Sequence, residues 1–416
     1  MIYGIGDKPP FGKLLLFSLQ LMLSCFTATV LIANVCGVNV SAALIGAGLS
    51  TLVYACITKF QSPMIISNSG AYVAPVLGAL AIGGYTAVAI GGLVSFVTYA
   101  IFALIFSKTS VEAIYKILPK VLIGSVTVVI GIALMSFIPS YIGEGQLHLG
   151  IALFTVLVIA LISHYCKGTL SLFPFLIGIL AGYIVSIPFG LVDFSVFSNV
   201  KFFQLPEFAF SKWESINFAI VPIIITYIAF SVSCMCEILS DHAALSGIVG
   251  VDLYRAPGIP RILLGEGVAN IVCSSVGGLG ATSYGEGIAA IGFSRCASIF
   301  TSIGCALIMV LLGFIGPVQA FITSIPSCVI GGGTAIILYS YIANSGIKQL
   351  QQVDFTNNKN LLLSGIVLST GLSGIVLGGG DFTLTGGFSF FFTFNSPLLG
   401  YFKSQHRNPP PYSKYV

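Results

Sequence analysis

Charged residues are almost missing from this chain of 416 residues. Asp, Glu, Lys and Arg together make up 7% of it, whereas hydrophobic residues make up 56% and the mean hydropathy is +1.03. Soluble domains carry about 25% charged residues, so a soluble fold of this length would have too few polar side chains to cover its surface. The composition therefore predicts an integral membrane protein built from many helices.

Several sequence patterns are also missing, and each absence argues against a class of protein. The apolar runs lack the alternation of polar and apolar residues that marks the strands of an outer-membrane barrel. No CxxC pair or His/Cys spacing indicates a metal, and no nucleotide-binding or hydrolase motif indicates an enzyme or a cofactor. The net charge of +4 comes without a basic patch, which argues against nucleic acid as a partner. No A-x-A-like cleavage site follows the first apolar run, so we expect that run to be retained.

Apolar runs follow one another along nearly the whole chain. They cover residues 13–36, 40–58, 70–82, 85–107, 117–139, 147–166, 170–191, 216–240, 260–276, 285–294, 297–317, 319–343, 360–378 and 384–402. A full membrane span needs about 20 residues, and the runs at 70–82 and 285–294 are shorter and flanked by glycine. We therefore predict that these two are half-helices broken inside the membrane.

The polar insertion at 192–215 divides the fourteen runs into seven and seven. An odd number of spans gives the two halves opposite orientations, as in an inverted-topology repeat, and the short runs are third in each half. If the N-terminus is cytoplasmic, 15 of the 17 basic residues lie on the cytoplasmic side, all except Lys201 and Lys212. The prediction is an all-α polytopic protein of the cytoplasmic membrane, with 14 transmembrane segments and both termini in the cytoplasm.

Two carboxylates lie at the end of the eighth run, where a membrane helix is expected to have none. Glu237 is followed one helical turn later by Asp241, so both lie on one helix face. Placing a charge at bilayer depth costs about 2.5 kcal/mol or more, so such residues usually face a cavity, find a partner or carry protons. The pair predicts a proton carrier, with Glu237 the deeper residue. The alternative for Asp241 is a solvated position at the membrane surface beside His242.

A third carboxylate, Glu286, lies within the glycine-rich segment GGLGATSYGEGIAAIG. Its glycine neighbours let a ligand approach the backbone closely, and a half-helix beginning here would direct its positive end at the middle of the membrane. Together they predict a site for a planar ligand with alternating N–H and C=O groups. The alternative is a carboxylate that the backbone of a re-entrant loop satisfies.

Other polar residues in apolar runs have two interpretations each. Ser69 and its neighbours Ser67 and Asn68 precede the first half-helix, where they either contact a ligand or cap the turn. Glu266 in the ninth run is either a structural partner or part of a proton relay. Gln20 in the first run either bonds another helix or takes part in the same relay.

The chain resembles the nucleobase–ascorbate transporter family (uracil and xanthine permeases, nucleobase:cation symporters), in particular the bacterial uracil permeases. The resemblance runs through nearly the whole chain and is carried by KPPFGKLLLFSLQLMLSCFTATVLI, ISNSGAYVAPVL, CEILSDH, PGIPR and TSYGEGIAAIGFSR. It implies short strands before half-helices 3 and 10, proton symport and a homodimer. It also implies a core domain of residues 1–110 (spans 1–4) and 216–317 (spans 8–11). The gate domain would comprise 111–215 (spans 5–7 and the external connection) and 318–416 (spans 12–14 and the cytoplasmic tail).

The resemblance implies roles for site residues as well. Glu237 and Glu286 would bind the base, Gly70 and Gly285 would contribute backbone, and Tyr284 would lie beside the pocket. The candidates to carry the coupling proton would be Glu237, Asp241 and Glu286. Sodium remains an alternative coupling ion.

Departures from the family pattern give mixed indications of the substrate. Asp241 stands where uracil permeases carry His and, together with Glu266, is similar to the xanthine and urate branch, whereas Glu286 is similar to the uracil branch. The expected function is a proton-coupled nucleobase importer that works by alternating access, with uracil as first choice and xanthine or urate as second. The alternative is a sulfate- or bicarbonate-like anion transporter or channel of the same seven-plus-seven fold.

Overall fold

A computed structural model describes residues 1–108, 119–135, 138–166, 174–198, 200–213, 221–329, 335–372, 376–377 and 384–385. These residues are mostly helical. The helices are α1 (Phe11–Val35), α2 (Val40–Ile57), α3 (Val73–Ser107), α4 (Lys120–Met135), α5 (Ile138–Ile142), α6 (Gln146–Tyr165), α7 (Pro174–Ser186), α8 (Val221–Val249), α9 (Ile259–Val276), α10 (Gly285–Ser294), α11 (Ile299–Gly313), α12 (Gly316–Ser324), α13 (Ala335–Leu350) and α14 (Asn358–Leu372). The strands are β1 (Ile66–Asn68), β2 (Ala281–Ser283), β3 (Val376–Leu377) and β4 (Leu384–Thr385).

Five segments of the described helices are long and apolar enough to cross a membrane. They are Val40–Ile57, Pro75–Ser107, Gln146–Tyr165, Ile223–Val249 and Tyr254–Val276. Shorter apolar helices, among them Ile299–Gly313, accompany these five. The protein is therefore a multi-pass, helical membrane protein, while the count of fourteen spans stays a prediction.

Both short runs form short helices, and glycine ends the first of them. A 3-10 turn at Gly70–Tyr72 leads into α3, which is interrupted at Gly83 and Gly84. Gly84 takes φ +57°, a conformation that residues with a Cβ adopt only at a cost, so the glycine pair separates the half-helix from the span that follows it. The second short helix, α10, is 10 residues long and ends at Arg295.

The two half-helices begin at one antiparallel strand pair. β1 pairs with β2 in the register Ile66↔Ser283, Ser67↔Thr282 and Asn68↔Ala281. Because the strands are antiparallel, the helices that follow them lead away in opposite directions. Their N-terminal ends, which carry the positive ends of the helix dipoles, both lie at this pair.

The Asn68 side chain holds the strand pair to the surrounding helices. Its Oδ1 accepts the Leu279 N–H at 2.8 Å and the Cys273 thiol at 3.4 Å, and its Nδ2 donates to the Ala43 carbonyl at 2.9 Å. Asn270 of α9 adds a bond from its Nδ2 to the Ala281 carbonyl at 3.1 Å. Buried side chains thus replace water as partners of the backbone around the strands, as non-helical backbone inside a membrane requires.

The helices pack in two groups. Within 1–108 and 221–313, α9 packs on α2 and α3, α11 packs on α1 and α2, and α8 packs on α3. Among the remaining described helices, α4 packs on α13 and α14, and α6 packs on α7. Small residues allow the close approaches of the first group. A Cβ on Gly48 would lie 2.5 Å from the Ala306 carbonyl, for example.

Three predicted spans differ from the structure. The run at 319–343 contains the separate helices α12 and α13, because the chain is extended at Ile325 before Pro326, which disfavours helix. The run at 216–240 continues as α8 to Val249. Near the C-terminus β3 pairs with β4, so the end of run 360–378 and the start of run 384–402 are extended, and the rest of the last run lies outside the described residues.

We predict that Asn68→Ala destabilises the fold. The change removes the bond to the Ala43 carbonyl and leaves the buried Leu279 N–H without its partner, which costs about 1–3 kcal/mol for that unsatisfied group. Thermal melting in detergent would show a lower melting temperature. Asn34→Ala, at an exposed position near the end of α1, is the control. Equal melting temperatures for the two variants would contradict the role given to Asn68.

Candidate functional site

The acidic face of α8 contacts the strand that leads into α10. Glu237 and Asp241 are both half-buried. The Ser283 hydroxyl, at the end of β2, donates to Asp241 Oδ2 at 3.1 Å. α8 continues two further turns beyond Asp241, and the next residue, His242, is fully buried, so Asp241 does not lie at the end of its helix.

Glu266 of α9 joins this group as a fully buried carboxyl group. Neither of its oxygens has a hydrogen-bond partner among the residues that the structure describes. It lies close enough to Asp241 and Glu237 to interact with both electrostatically, with the backbone of Ser283 nearby. The structure thus brings three acids from α8 and α9 together beside β2.

The N-terminal end of α10 opens onto free space. Gly285 begins the helix and is exposed, and a Cβ built there meets no atom within 4 Å. Tyr284, the N-cap residue, is buried at 6% exposure. Glu286 is the second residue of α10, so its backbone follows directly on the Ser283–Asp241 contact. Its side chain, for which we predict ligand binding, lies outside what the structure describes.

The segment before the first half-helix is a capped turn. The Ser69 hydroxyl accepts the Ala71 N–H at 3.2 Å, and the Ser69 N–H donates to the Gly280 carbonyl at 2.9 Å. Gly70 begins the 3-10 turn and is buried. These contacts agree with the interpretation of Ser69 as a cap of the turn. Ligand contact by Ser69 and Gly70 stays a prediction.

Gln20 lies in another part of the first group of helices. It is buried, and its Nε2 has no partner within the described ranges. It lines a crevice with Ala290, Ile291 and Ser294, in the second half of α10. The structure therefore does not place Gln20 at the N-terminal end of α10, where the acids meet β2.

A second set of buried polar residues lies near the acids and is not among the site residues predicted from the sequence. Tyr72 accepts a bond from Asn270 Nδ2 at 2.8 Å and shares one with Tyr99 at 3.0 Å. Tyr54 contacts His242 at 2.6 Å between the hydroxyl and Nε2. Four of these residues come from four different apolar runs and His242 follows a fifth, so no local motif marks them, and the only signal is a single polar group in or beside each run.

The sequence belongs to a known family. The Permease family model, Xan_ur_permease, matches residues 12–378. This chain is a member of that permease family. It is 35% identical over 400 residues to the uracil permease of Bacillus caldolyticus, covering 92% of this chain and 91% of that protein. For the uracil permeases of Bacillus subtilis and Escherichia coli K12, the identities are 32% over 397 and 31% over 382 residues, with 91% and 87% of those proteins covered.

Solved structures share the fold of this permease at low sequence identity. The transmembrane domain of the cyanobacterial bicarbonate transporter BicA superimposes with a TM-score of 0.61 at 14% identity, over 87% of this chain and 99% of that one. The SLC26A9 structure gives a TM-score of 0.62 at 12% identity, over 86% and 61% of the two chains. The resemblance to a permease family is thus confirmed, and the protein is a transporter rather than an enzyme.

Two glycines of this region have opposite surroundings, which gives a matched pair of substitutions. A Cβ on Gly280 would lie 2.2 Å from the Tyr72 ring, whereas one on Gly285 meets nothing. We predict that Gly280→Ala lowers the unfolding free energy by about 1–3 kcal/mol through overpacking, and that Gly285→Ala leaves it unchanged. Melting curves of both variants in detergent test this. A Gly285→Ala variant that melts as early as Gly280→Ala would show that the α10 end is packed rather than open.

Proposed function

We propose that this permease is a nucleobase importer of the cytoplasmic membrane, coupled to protons, with uracil as its first substrate and xanthine or urate as its second. Glu237 and Glu286 bind the base, Gly285 and Gly70 contribute backbone, and Tyr284 lies beside it. The named activity of the uracil permeases that align over about nine-tenths of the chain supports the substrate class.

One contact carries the proposal: the bond from the Ser283 hydroxyl to Asp241. It joins the acidic face of α8 to the strand that leads into α10, which supports placing Glu237 and the start of α10 at one site. A nucleobase presents N–H donors and C=O acceptors along one edge. Carboxylates accept from the donors, and the free N–H groups at the start of α10 donate to the acceptors. Such a planar, neutral ligand matches this set of groups better than a metal or a phosphate.

The acids also suit coupling to protons. Glu237, Asp241 and Glu266 lie close together, and holding all three ionised in a half-buried site is unfavourable because like charges repel. Binding one proton removes part of this cost, so the group of acids is suited to take up and release a proton. Sodium is the competing coupling ion, and the test below distinguishes the two.

The packing of the helices supports the proposal of alternating access. We propose that residues 1–110 and 216–317 form a core that carries the substrate past a gate of residues 111–215 and 318–416. The core would comprise spans 1–4 and 8–11 of two inverted seven-span repeats, with both termini cytoplasmic, and the protein would work as a homodimer. The separate packing of α4 on α13 and α14 supports this division.

Anion transport is the competing function, and its support is the fold alone. The bicarbonate transporter BicA and this chain share the fold at 14% identity. A cluster of carboxylates at the site would repel sulfate or bicarbonate, which argues for a neutral ligand.

We predict that uracil raises the melting temperature of the purified protein, because a ligand that binds only the folded state stabilises it by about 2.7 kcal/mol at a concentration of 100 Kd. Glu286→Ala and Glu237→Gln each remove a charged hydrogen-bond partner worth about 1.5–3 kcal/mol and should weaken binding roughly tenfold to a hundredfold. Glu144→Gln, at an exposed loop position, is the control.

The panel consists of uracil, xanthine, urate, guanine, ascorbate, sulfate and bicarbonate, each at two pH values and with sodium or potassium. Stabilisation by sulfate or bicarbonate alone, insensitive to Glu286→Gln, would replace the proposal with anion transport. Uracil binding that requires sodium and does not depend on pH would contradict the proposed proton coupling. Unchanged uracil binding by the folded Glu286→Ala variant would refute the role of that residue.

A further inference from the structure

Three buried polar side chains form a chain of hydrogen bonds next to the acids. The Tyr54 hydroxyl of α2 lies 2.6 Å from His242 Nε2 on α8 and donates to the Ser62 hydroxyl at 3.0 Å. All three residues are fully buried. A fully buried histidine needs an explanation, and the described residues contain no group of three His, Cys, Asp or Glu side chains able to hold a metal ion.

The second nitrogen of His242 determines where a proton is able to bind. Nδ1 lies 2.7 Å from the Ile238 carbonyl, which only accepts, so Nδ1 carries a hydrogen. Nε2 is therefore the site that gains or loses a proton. When Nε2 is bare, the Tyr54 hydroxyl donates to it. When Nε2 is protonated, it donates to Tyr54, and Tyr54 donates to Ser62. One added proton thus reverses the direction of the hydrogen bond between Tyr54 and His242.

The middle member of this chain, Tyr54, lies beside Glu266. A Cβ on Gly265 would come within 2.8 Å of the Tyr54 ring, so the ring rests on α9 at the residue next to Glu266. The Glu266 carboxyl and Tyr54 lie within electrostatic reach of each other. No hydrogen bond joins them in the part of the chain that the structure describes, so a proton transfer between them would require a water molecule or a rotation of the side chain.

One end of the chain, Ser62, lies beside a surface of the protein. Ser62 follows the exposed residue Gln61, in the turn after α2. The carbonyl of the next residue, Pro63, accepts the Ser302 hydroxyl of α11 at 2.7 Å. This is the side on which the N-terminal segment pairs with the turn before α11, as in the bridge of Tyr3 with Cys296. In the proposed orientation this side is the cytoplasm.

The titratable groups around His242 come from every neighbouring element. Its own helix carries Glu237 and Asp241, α2 contributes Tyr54, and α9 contributes Glu266. The turn after α8 contributes Tyr254, whose hydroxyl donates to the Leu239 carbonyl. Glu266 approaches Tyr54 from α9, whereas Ser62 contacts Tyr54 from the turn after α2.

We propose that Tyr54, His242 and Ser62 relay the coupling proton between Glu266 and the cytoplasmic side. The proposal rests on the proposed function, because it requires a coupling proton. Glu266 passes its proton, through a water molecule or after a rotation of its side chain, to the Tyr54 oxygen, while the Tyr54 O–H bond breaks and its hydrogen goes to His242 Nε2. The Nε2–H bond then breaks and returns a proton to the Tyr54 oxygen, the Tyr54 hydrogen passes to the Ser62 oxygen, and Ser62 releases its own hydrogen to water. One proton crosses, and each group recovers its starting form after its hydroxyl rotates.

The test uses the full-length protein in liposomes with two measurements. Counterflow exchanges labelled uracil for uracil and needs no net proton movement, whereas accumulation driven by a pH gradient needs the relay. We expect Tyr54→Phe and His242→Gln to keep counterflow within about twofold and to lose accumulation by about tenfold or more, since a positioned acid–base group contributes a factor of this order or larger. Proton entry, read from a pH dye inside the liposomes, should fall in parallel.

Controls separate a relay from a structural role. Tyr183→Phe removes a buried hydroxyl bonded to Ser324, and His164→Gln changes an exposed histidine, so neither should affect accumulation. The double variant Tyr54→Phe/His242→Gln should lose no more accumulation than either single variant, because the two residues act as one unit. Ser62→Ala leaves the Tyr54–His242 bond intact and should show the same loss, which keeps the proposal testable if the other variants fold poorly.

Two results would overturn the relay. One is normal accumulation by folded Tyr54→Phe, His242→Gln or Ser62→Ala. The other is a loss of counterflow and accumulation in equal proportion, which indicates a structural role. A wild-type protein that exchanges uracil but ignores a pH gradient contradicts proton coupling itself, and one that does not exchange uracil contradicts the proposed substrate. In either case the wild type fails, whereas failure of the relay alone leaves wild-type accumulation intact.

Discussion

Backbone that is neither helical nor exposed to water must find its hydrogen-bond partners within the protein, and the rest of this structure depends on that constraint. β1 and β2 lie within the packed core and satisfy each other through only three residue pairs. The helices around them supply the remaining partners. The Thr51 hydroxyl, for example, bonds both the amide and the carbonyl of Ile66, at 3.0 and 2.8 Å. Because the partners come from several helices, the strand pair fixes where both half-helices begin.

The acidic site is a direct result of this arrangement. β2 ends at Ser283, and its hydroxyl reaches Asp241, so the place where α10 starts is set against one face of α8. Glu266 reaches the same region from α9, the helix that also supports β2 through Asn270. The groups that hold the fold and the groups that we assign to transport are therefore neighbours on the same elements. Substitutions here need a stability measurement beside every transport measurement.

The sequence predicts this site well where glycine or charge marks a position. The short glycine-flanked runs coincide with the helices that begin at Gly70 and at Gly285, since the absence of side chains and the short length are visible in the residues themselves. The prediction of acids facing protein interior also agrees with Asp241 and with Glu266. Hydropathy marks such positions because a charge in an apolar run has few stable surroundings.

Other features depend on contacts between distant runs and leave little trace in any one of them. Tyr54 and His242 are 188 residues apart, and each alone resembles an ordinary polar residue near the end of an apolar run. The predicted run at 216–240 is shorter than α8 because His242 and the small residues after it lower the hydropathy of the helix. The break at Ile325 leaves little trace in the run at 319–343, because a single proline hardly changes the hydropathy of a long apolar run.

The strand pair has a further consequence for how the protein is made. Asn68 and its partner Leu279 are 211 residues apart, so a ribosome adding about 5–20 residues per second finishes the second long after the first. For roughly 10–40 s the segment around β1 has been synthesised while its partner strand does not yet exist. Its polar backbone must stay near the lipid surface, in the translocation channel or with a chaperone until then. Insertion of α1, α2 and α3 is thus provisional. The packing around β1 is completed only after α9 and β2 have been made.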